Sequence, residues 1–453
     1  MRPVYDMLVR ASGRLSGHMP GHKGKAPFGP VDAYALDTTE LPVTDDLYAP
    51  ERGLMEAQRL YARAAGAAET IFLHNGSTSG MHVMTQLYAH EGDAVILPRN
   101  AHLSAVNGCI LGGIEPVWMP VTLTSDGCCR VTESEVLAAI EAHPGAKALL
   151  LTQPDYFGGC LPLERIVEKA HERGMRVLVD EAHGAHLPWL DGLDSAGAAG
   201  ADAWVQSVHK TLPGWTGSAA LHLRNAADRA RAMTILRREQ TSSPSFLLMM
   251  SIDDARAWME EHGRGRLSAV REAADAVRGL LPSLGYADAH AGWADTGLVF
   301  DPTRLVIGAP QGGHALAEAL RALSVDVEMA DDRRVVLILT AMDEPEAILR
   351  LGDVLRAIPA VPRELPEIPA MGSLPRQVMS LRAAAMGRTE QAPLSRAAGR
   401  VAAASAGLYP PGVPLVCPGE EITEETVCRL RDAGSQQRFG VEGDCLTCVM
   451  TSV

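Results

Sequence analysis

Short apolar runs alternate with longer helical stretches between about residues 70 and 225, and this alternation limits the fold more than any other feature. The runs are almost continuously apolar, as is typical of parallel strands that are buried on both faces. The stretches between them, such as 164–173, are long enough for crossover helices. The pattern predicts an α/β fold with ligands at the carboxyl ends of the strands. The predicted strands are Thr70–Leu73, Ala94–Leu97, Ala148–Leu151, Arg176–Val179 and Ala203–Gln206.

Smaller α+β regions are predicted after this sheet. A chain of 453 residues is long enough for two or three domains. Apolar residues recur at helical spacing from 254 to 280, Arg334–Leu339 is predicted as a strand, and 356–370 is rich in proline, as connectors are. We expect four parts: an N-terminal segment over 1–35, a large domain over 36–253, a small α+β domain with its connector over 254–370, and a C-terminal domain over 371–453.

Composition excludes several classes of function. With 41 Lys and Arg against 55 Asp and Glu, the formal charge is −14, which argues against a nucleic-acid or anionic-membrane partner. No uninterrupted apolar stretch is long enough to span a membrane, and the first residues lack the apolar core of a secretory signal. The eight cysteines lack the spacing of a zinc site, so we expect no metal, free thiols and a cytoplasmic location.

Lys210 and Asp180 each follow a predicted strand and together indicate pyridoxal phosphate (PLP) chemistry. A lysine at a strand's carboxyl end can point into the crevice, where loss of solvation makes its amine available to an aldehyde. A carboxylate beside a pyridine nitrogen keeps that nitrogen protonated, as PLP requires. A surface lysine and a helix-capping Asp are the alternatives for the two residues taken singly.

Two further segments supply groups for a phosphate and a ring. His74–Gly80 has the sequence HNGSTSG and lies between a strand and a helix, where hydroxyls and free amides bind phosphate. Ser207 can add another hydroxyl to the phosphate. His102 follows the strand that ends at Leu97, where an imidazole can stack on a pyridine ring.

Several colinear motifs resemble the bacterial ornithine/lysine/arginine decarboxylase family, which consists of fold-type I PLP enzymes. The resemblance spans about residues 3–450. It rests on HMPGHKG at 18–24, DTTEL at 37–41 with DDL at 45–47, SVHKTLP at 207–213, TSSPSF at 241–246, YPPGVP at 409–414 and PGE at 418–420.

The resemblance implies a large domain with a mainly parallel seven-stranded sheet, and it assigns roles to individual residues. Lys210 is expected to form the Schiff base and Asp180 to contact the ring nitrogen. The other residues expected around the cofactor are Ser77, Thr78, His102, Ala182, His183, Ser207 and His209.

Substrate contacts are expected from three further residues. Glu420 is expected to face the distal cation of the substrate, with the acidic stretch around Glu40, Asp45 and Asp46 as the alternative. His22 is expected on the substrate side of the site. Ser243, or a neighbouring hydroxyl of 241–246, is expected to reach the cofactor of a partner subunit, because fold-type I sites are commonly shared in a homodimer or larger homo-oligomer.

Four positions depart from the family's usual residues and lie in motifs close to the expected pocket. They are Leu103, Asp155, Phe157 and Gly217. The predicted function is PLP-dependent decarboxylation of arginine, lysine or ornithine, with Lys210 or His209 returning a proton to the α-carbon. The departures keep open another PLP reaction, such as transamination, elimination or oxidative deamination. A binding or regulatory homologue without catalysis is the third possibility, against which the intact Lys210 and Asp180 argue.

Overall fold

The structure, a computed structural model, describes residues 15–26, 32–41, 44–123, 128–365, 373–408, 413–433 and 438–450. The first residues of the chain, part of the proline-rich 356–370 stretch and most of the 409–414 motif lie outside these ranges. The predicted α/β architecture is confirmed, and smaller sheets with helices follow the main sheet.

A seven-stranded sheet forms the centre of the large region. Five neighbouring strands run parallel, and one antiparallel strand joins them to the seventh. The strands in spatial order are Glu69–Leu73, Ala219–Leu223, Ala203–Gln206, Arg176–Asp180, Ala148–Thr152, Ala94–Pro98 and Glu115–Met119. The five strands predicted from sequence are all present, and their carboxyl ends meet at one edge of the sheet.

Helices cover both faces of this sheet, which explains why its strands are apolar throughout. Tyr61, Phe72 and Trp204 belong to the core on one face, and Met81, Ile110 and Leu178 to the core on the other. Glu133–Ala142 begins with a capping box, because Thr132 and Glu135 satisfy each other's backbone amides. The helices of the region are Ala33–Leu36, Gly53–Ala65, Gly76–Tyr88, Leu103–Gly112, Glu133–Ala142, Leu163–Glu172, Val208–Thr211, Arg229–Glu239 and Phe246–Trp258.

A four-stranded antiparallel sheet organises the next region. Its strands are Ala287–Asp288, Arg304–Gly308, Arg334–Ile338 and Met329–Ala330, and its helices are Arg264–Leu280, Gly313–Ala322 and Pro345–Ala357. The strand predicted at 334–339 is confirmed as Arg334–Ile338. The helical pattern predicted from 254 begins earlier, at Phe246, and passes through a π-helical turn at Met259–Gly263 before it continues.

The C-terminal region contains two three-stranded sheets around its own apolar core. One sheet is Thr389–Pro393, Cys445–Val449 and Val441–Glu442, and the other is Pro414–Val416, Ala406–Leu408 and Arg438–Phe439. Its helices are Leu381–Met386 and Glu424–Asp432. Three short pairs complete the fold: Leu15–Gly17 with Val325–Val327, Thr122–Leu123 with Cys129–Arg130, and Gly159–Cys160 with Val299–Phe300. Within the described ranges, no helix is both long and apolar enough to cross a bilayer.

Candidate active site

A cavity of about 380 Å³ opens at the carboxyl ends of the parallel strands. This volume lies in the range of roughly 300–1,000 Å³ that is usual for small-molecule sites. The cavity brings together residues that are far apart in the chain. Among those predicted from sequence, Ser77, His102, Asp180, Ala182, His183 and Lys210 line it.

One end of the cavity is built from hydroxyls and a helix N-terminus. Ser77, in the first turn of Gly76–Tyr88, lines the cavity, and Ser207, which is buried and not part of the lining, donates its hydroxyl to that of Ser77 at 2.7 Å. Asn75 caps this helix without a side-chain hydrogen bond, so the amides of Ser77 and Thr78 in the first turn keep their capacity for an anion. Thr78 is exposed and is not part of the cavity lining.

Gly217 supports this end of the cavity and explains one departure from the family pattern. Its φ is +96°, a conformation that side chains rarely adopt, and its carbonyl accepts a hydrogen bond of 2.9 Å from the Gly76 amide. A glycine at 217 therefore allows the loop 214–218 to hold the start of the phosphate-side helix.

The opposite wall presents a carboxylate and an imidazole. Asp180 ends the strand Arg176–Asp180 and is 5% exposed, and its Oδ1 accepts a 3.1 Å hydrogen bond from the Ala182 amide. His102 caps the helix Leu103–Gly112, and its Nδ1 accepts from the Ser104 amide at 3.2 Å. This bond orients the imidazole, whose exposed surface faces the cavity.

Lys210 extends into the cavity from the short helix Val208–Thr211, directly after the strand Ala203–Gln206. Its Nζ lies 3.3 Å from His183 Nε2. Burial lowers the pKa of Lys210, and burial together with the Lys210 charge lowers the pKa of His183 well below its ordinary value. Both shifts increase the neutral fraction, which is the form that acts as nucleophile for Lys210 and as proton acceptor for His183.

His209, which the sequence places beside the cofactor, is not in the cavity lining. Its Nδ1 donates to the Ser218 carbonyl at 2.9 Å, and its own carbonyl accepts from the Gly21 amide at 2.7 Å. His209 therefore ties the segment that carries Lys210 to Ser218 and to the N-terminal segment at Gly21, and its ring is not part of the described cavity lining.

The polar atoms of the cavity fit PLP. His183 Nδ1 and Thr152 Oγ1 are buried, and no hydrogen-bond partner for either lies among the described residues. Unpartnered buried polar atoms are costly and mark a place for a polar ligand. A lysine, a carboxylate, an imidazole ring and the Ser77 hydroxyl line this cavity, and they are the kinds of group that hold the aldehyde, ring nitrogen, ring and phosphate of this cofactor.

Glu328 is a cavity residue that the sequence did not reveal. It lies between the short strands Val325–Val327 and Met329–Ala330. Its Oε1 accepts from the Tyr156 hydroxyl at 3.1 Å, and its Oε2 accepts from the Met19 amide at 3.0 Å. Both hydrogen bonds come from neutral groups, and the charges of Lys23 and Lys210 also act on this carboxylate.

The other residues that line the cavity are mostly apolar. Among the departures from the family pattern, Leu103, Asp155 and Phe157 belong to this lining. The Asp155 carboxylate already accepts hydrogen bonds from Arg130, at 3.1 Å, and from the backbone amides of Phe157 and Gly159. The remaining members are Met19, Asn100, Ala101, Cys129, Tyr156, Val413 and Phe439.

Glu420, expected to meet the substrate's cation, lies elsewhere. Its carboxylate is fully buried and accepts hydrogen bonds of 2.6 and 2.7 Å from the two terminal nitrogens of Arg99, which is 1% exposed. Arg99 Nε also donates to the Pro414 carbonyl at 3.0 Å. Glu420 therefore joins the C-terminal region to the large sheet, and within this chain it offers nothing to a substrate.

Glu420→Gln is expected to destabilise the protein by about 3–5 kcal/mol, because it leaves the Arg99 guanidinium buried without a counter-charge. The measurement is the free energy of unfolding in denaturant. The neighbouring variant Glu421→Gln is the control, since its pair with Arg376 is solvent-exposed at 2.9 Å and contributes at most about 1 kcal/mol. Equal effects of the two variants would contradict a buried structural pair.

The remaining predicted substrate residues do not line the cavity. His22 Nδ1 accepts from the Gly24 amide, and Ser243 is exposed next to Thr241. Of the acidic alternatives, Asp45 accepts hydrogen bonds from the amides of Asp46, Glu51, Arg52 and Leu54 and organises that turn. Asp46 accepts from the Tyr48 amide, and Glu40 also lies outside the lining.

Two models of known protein families match most of the chain. A family model described as Orn/Lys/Arg decarboxylase, major domain, matches residues 3–298, and one for the C-terminal domain matches 365–432. The chain is 34% identical to the uncharacterized protein YaaO of Bacillus subtilis, covering 94% of this chain and 93% of that protein. It is 32% identical to an arginine decarboxylase of the same organism, with 94% and 92% covered.

Solved structures show the same fold at lower sequence identity. A lysine decarboxylase from Francisella novicida superposes with a TM-score of 0.75 at 17% identity, over 89% of this chain and 72% of that one. The constitutive lysine decarboxylase of Escherichia coli gives a TM-score of 0.71 at 18% identity, over 88% and 74%.

Proposed function

The chain belongs to the Orn/Lys/Arg decarboxylase family and is a decarboxylase of basic amino acids, and we propose that it works with PLP held through Lys210. The observation that carries this proposal is the cavity at the strand ends, where Lys210, Asp180 and Ser77 line one space and the Ser207 hydroxyl donates to that of Ser77. These groups are spread over 134 positions of sequence, and only the parallel sheet brings them together.

The chain's own residues divide the work around the cofactor. PLP, when bound, supplies an electron sink for the pair left on the α-carbon as CO2 departs. Asp180 would hold the proton on the ring nitrogen, and His102 would pack against the ring. The Ser77 and Ser207 hydroxyls would donate to the phosphate. Lys210 would take a proton from the ammonium group of the incoming substrate and return one to the α-carbon, and His183, 3.3 Å from its Nζ, is close enough to exchange protons with it.

Glu328 is proposed as the partner of the substrate's distal cation, in place of Glu420. A buried cation needs a carboxylate, and the described lining contains three: Asp155, Asp180 and Glu328. Asp155 already pairs with Arg130, and Asp180 is assigned to the ring nitrogen. Among the described residues, the hydrogen bonds to the Glu328 carboxylate come from the neutral Met19 amide and Tyr156 hydroxyl, and Lys23 and Lys210 act on it through their charges, so its oxygens remain open to an incoming ammonium or guanidinium.

Arginine is the proposed substrate. Relatives from Bacillus at 31–32% identity over more than nine-tenths of the chain are named arginine decarboxylase. A guanidinium is planar and can donate to two acceptors at once, which matches a carboxylate whose neighbouring Tyr156 oxygen can also accept. The product is then the amine agmatine, with release of CO2.

Incubation with arginine, lysine, ornithine and their neutral analogues, followed by mass spectrometry, tests the proposal. We expect amine and CO2 from arginine first. Glu328→Gln should raise KM for arginine by about 30-fold or more, the effect of about 2 kcal/mol or more that follows loss of a buried charge partner, with kcat closer to wild type. The control Glu318→Gln changes an exposed carboxylate of Gly313–Ala322 and should leave KM unchanged.

Other outcomes of this experiment reject specific parts of the proposal. Keto-acid or ammonia as the product would favour transamination, elimination or oxidative deamination over decarboxylation. A preference for a neutral amino acid would remove Glu328 from the proposed role.

A homodimer or larger homo-oligomer is also proposed. Ser243 is exposed and outside the cavity of its own chain, as a residue that serves a neighbouring subunit would be. Tyr34 and Leu36 of the N-terminal helix are 98% and 51% exposed, which suits a surface that a second subunit covers. Light scattering of the active enzyme measures its molecular mass in solution. A fully active monomer would contradict the proposed homo-oligomer.

A further inference from the structure

Lys23 is a buried cation that none of the roles assigned above uses. Its side chain is 4% exposed, and its Nζ donates to three carbonyls, those of Ser16, His18 and Ile338, at 3.0, 2.8 and 2.8 Å. The Asp343 carboxylate lies 3.8 Å away. Two of the carbonyls belong to Lys23's own segment and one to the end of the strand Arg334–Ile338, so Lys23 closes residues 16–23 into a loop and fastens it to the second sheet.

This loop, called the strap here, touches both sides of the cavity. On the side of the second sheet, the Met19 amide donates to Glu328 Oε2 at 3.0 Å, and the Thr340 hydroxyl donates to the Gly21 carbonyl at 2.8 Å. On the side of the large sheet, the Gly21 amide donates to the His209 carbonyl at 2.7 Å. His209 immediately precedes Lys210, so the strap links the segment that carries Lys210 to Glu328.

The strap packs so closely against the large region that its backbone has little freedom to move. A Cβ at Gly21 would lie 2.5 Å from the Leu212 carbonyl oxygen, closer than such atoms approach. The adjacent strand Leu15–Gly17 pairs in parallel with Val325–Val327, directly before Glu328. The orientation of Glu328 thus depends on one hydrogen bond from the strap and one from Tyr156 in the large region.

We propose that Lys23 is a positioning residue that holds the strap so that Glu328 meets the distal cation of the substrate. This inference rests on the proposed function, in which Glu328 is the cation's partner. Lys23 touches neither substrate nor cofactor and acts on Glu328 through Met19, through the strand at 325–327 and through the attraction between the Lys23 and Glu328 charges. Its loss should therefore weaken recognition of the distal cation while leaving the cofactor site unchanged.

Steady-state kinetics of the holoenzyme with arginine provide the first measurement. Lys23→Met keeps the length of the side chain and removes the donors to all three carbonyls. We expect KM to rise about tenfold with kcat within about threefold of wild type, and the visible absorbance of the bound cofactor to keep its wavelength and pH dependence. Lys25→Met is the matched control, because Lys25 lies on the same segment, is 39% exposed and pairs with Glu344.

A double-mutant cycle with Glu328→Gln separates this role from general destabilisation. If Lys23 acts through Glu328, adding Lys23→Met to Glu328→Gln should change KM by less than about twofold, because the interaction it supports is already gone. The proposal would be overturned if the increase in KM of the double variant equalled the product of the increases in the two single variants. It would also be overturned if Lys23→Met had the same KM as Lys25→Met.

A second variant keeps the test decisive if Lys23→Met fails to fold. Thr340→Val removes the hydroxyl that holds the Gly21 carbonyl and changes little volume. It should raise KM several-fold in the wild-type background and not in Glu328→Gln, and an unchanged KM would reject the strap as a positioning element. Failure of the proposed function is recognised separately, since the wild-type enzyme would then turn over no basic amino acid before any variant is made.

Discussion

Lys210→Ala is expected to abolish turnover, with a loss of at least about 10⁴-fold, the upper end of what removal of one acid–base group costs. The reason is that Lys210 has two roles in the proposed site: it anchors the cofactor covalently and returns the proton to the α-carbon. The measurements are product formation from arginine and the borohydride-reducible absorbance of the bound cofactor, which should both disappear.

Two comparison variants isolate the chemistry of Lys210 from its charge. Lys210→Arg keeps a cation in place but should stay inactive, because a guanidinium remains protonated and cannot form an imine. Lys169→Ala changes an exposed lysine that pairs with Glu172 and should be fully active. Turnover by Lys210→Ala at the wild-type rate would refute the assignment of the site as a whole.

The part of the site that could be predicted from sequence is the part carried by consecutive strands. Asp180 and Lys210 each follow an apolar run, and the carboxyl ends of parallel strands meet at one edge, so their proximity follows from topology. Ser77 and His102 follow two other strands of the same sheet. The pattern of apolar strands was sufficient to predict that these residues lie close together, because all of them follow strands of a single sheet.

Glu328 and Glu420 show where such reasoning stops. Glu328 lies in the second region and enters the cavity because the strap and Tyr156 hold it there, which no local pattern encodes. The expectation for Glu420 rests on the need of a cationic substrate for an anionic partner and on the resemblance of PGE at 418–420 to the family's C-terminal segment. Its partner Arg99 is 321 positions away in the chain, and only the docked C-terminal region reveals the pair.

Two strands of the large sheet were missed for different physical reasons. Glu115–Met119 contains Pro116, which is tolerated because the strand lies at the edge of the sheet. Ala219–Leu223 contains two alanines and His222, a composition with low strand propensity. Tertiary contacts compensate, since His222 stacks on Trp204 at 5.2 Å and bonds to the Thr70 hydroxyl at 2.7 Å.

Asp180→Asn is expected to lower kcat by about 10³-fold or more, equivalent to about 4 kcal/mol of transition-state stabilisation. The amide has nearly the shape of the carboxylate, and its oxygen can still accept from the Ala182 amide, so the local fold should persist. The negative charge that holds a proton on the ring nitrogen is lost, and charge leaving the α-carbon is then poorly stabilised. Lys210 and the Ser77–Ser207 pair are unchanged, so cofactor content after gel filtration should remain close to one per chain.

Asp301→Asn is the matched control for this variant, because it also neutralises a buried carboxylate. Asp301 Oδ2 lies 3.1 Å from His186 Nε2, its pKa is lowered by that neighbour against the effect of burial, and it is not part of the described cavity lining. Its neutralisation should lower the melting temperature and leave the rate per bound cofactor near wild type. If Asp180→Asn shows that same pattern, with lower stability and a normal rate, Asp180 is a structural carboxylate and another group must protonate the ring nitrogen.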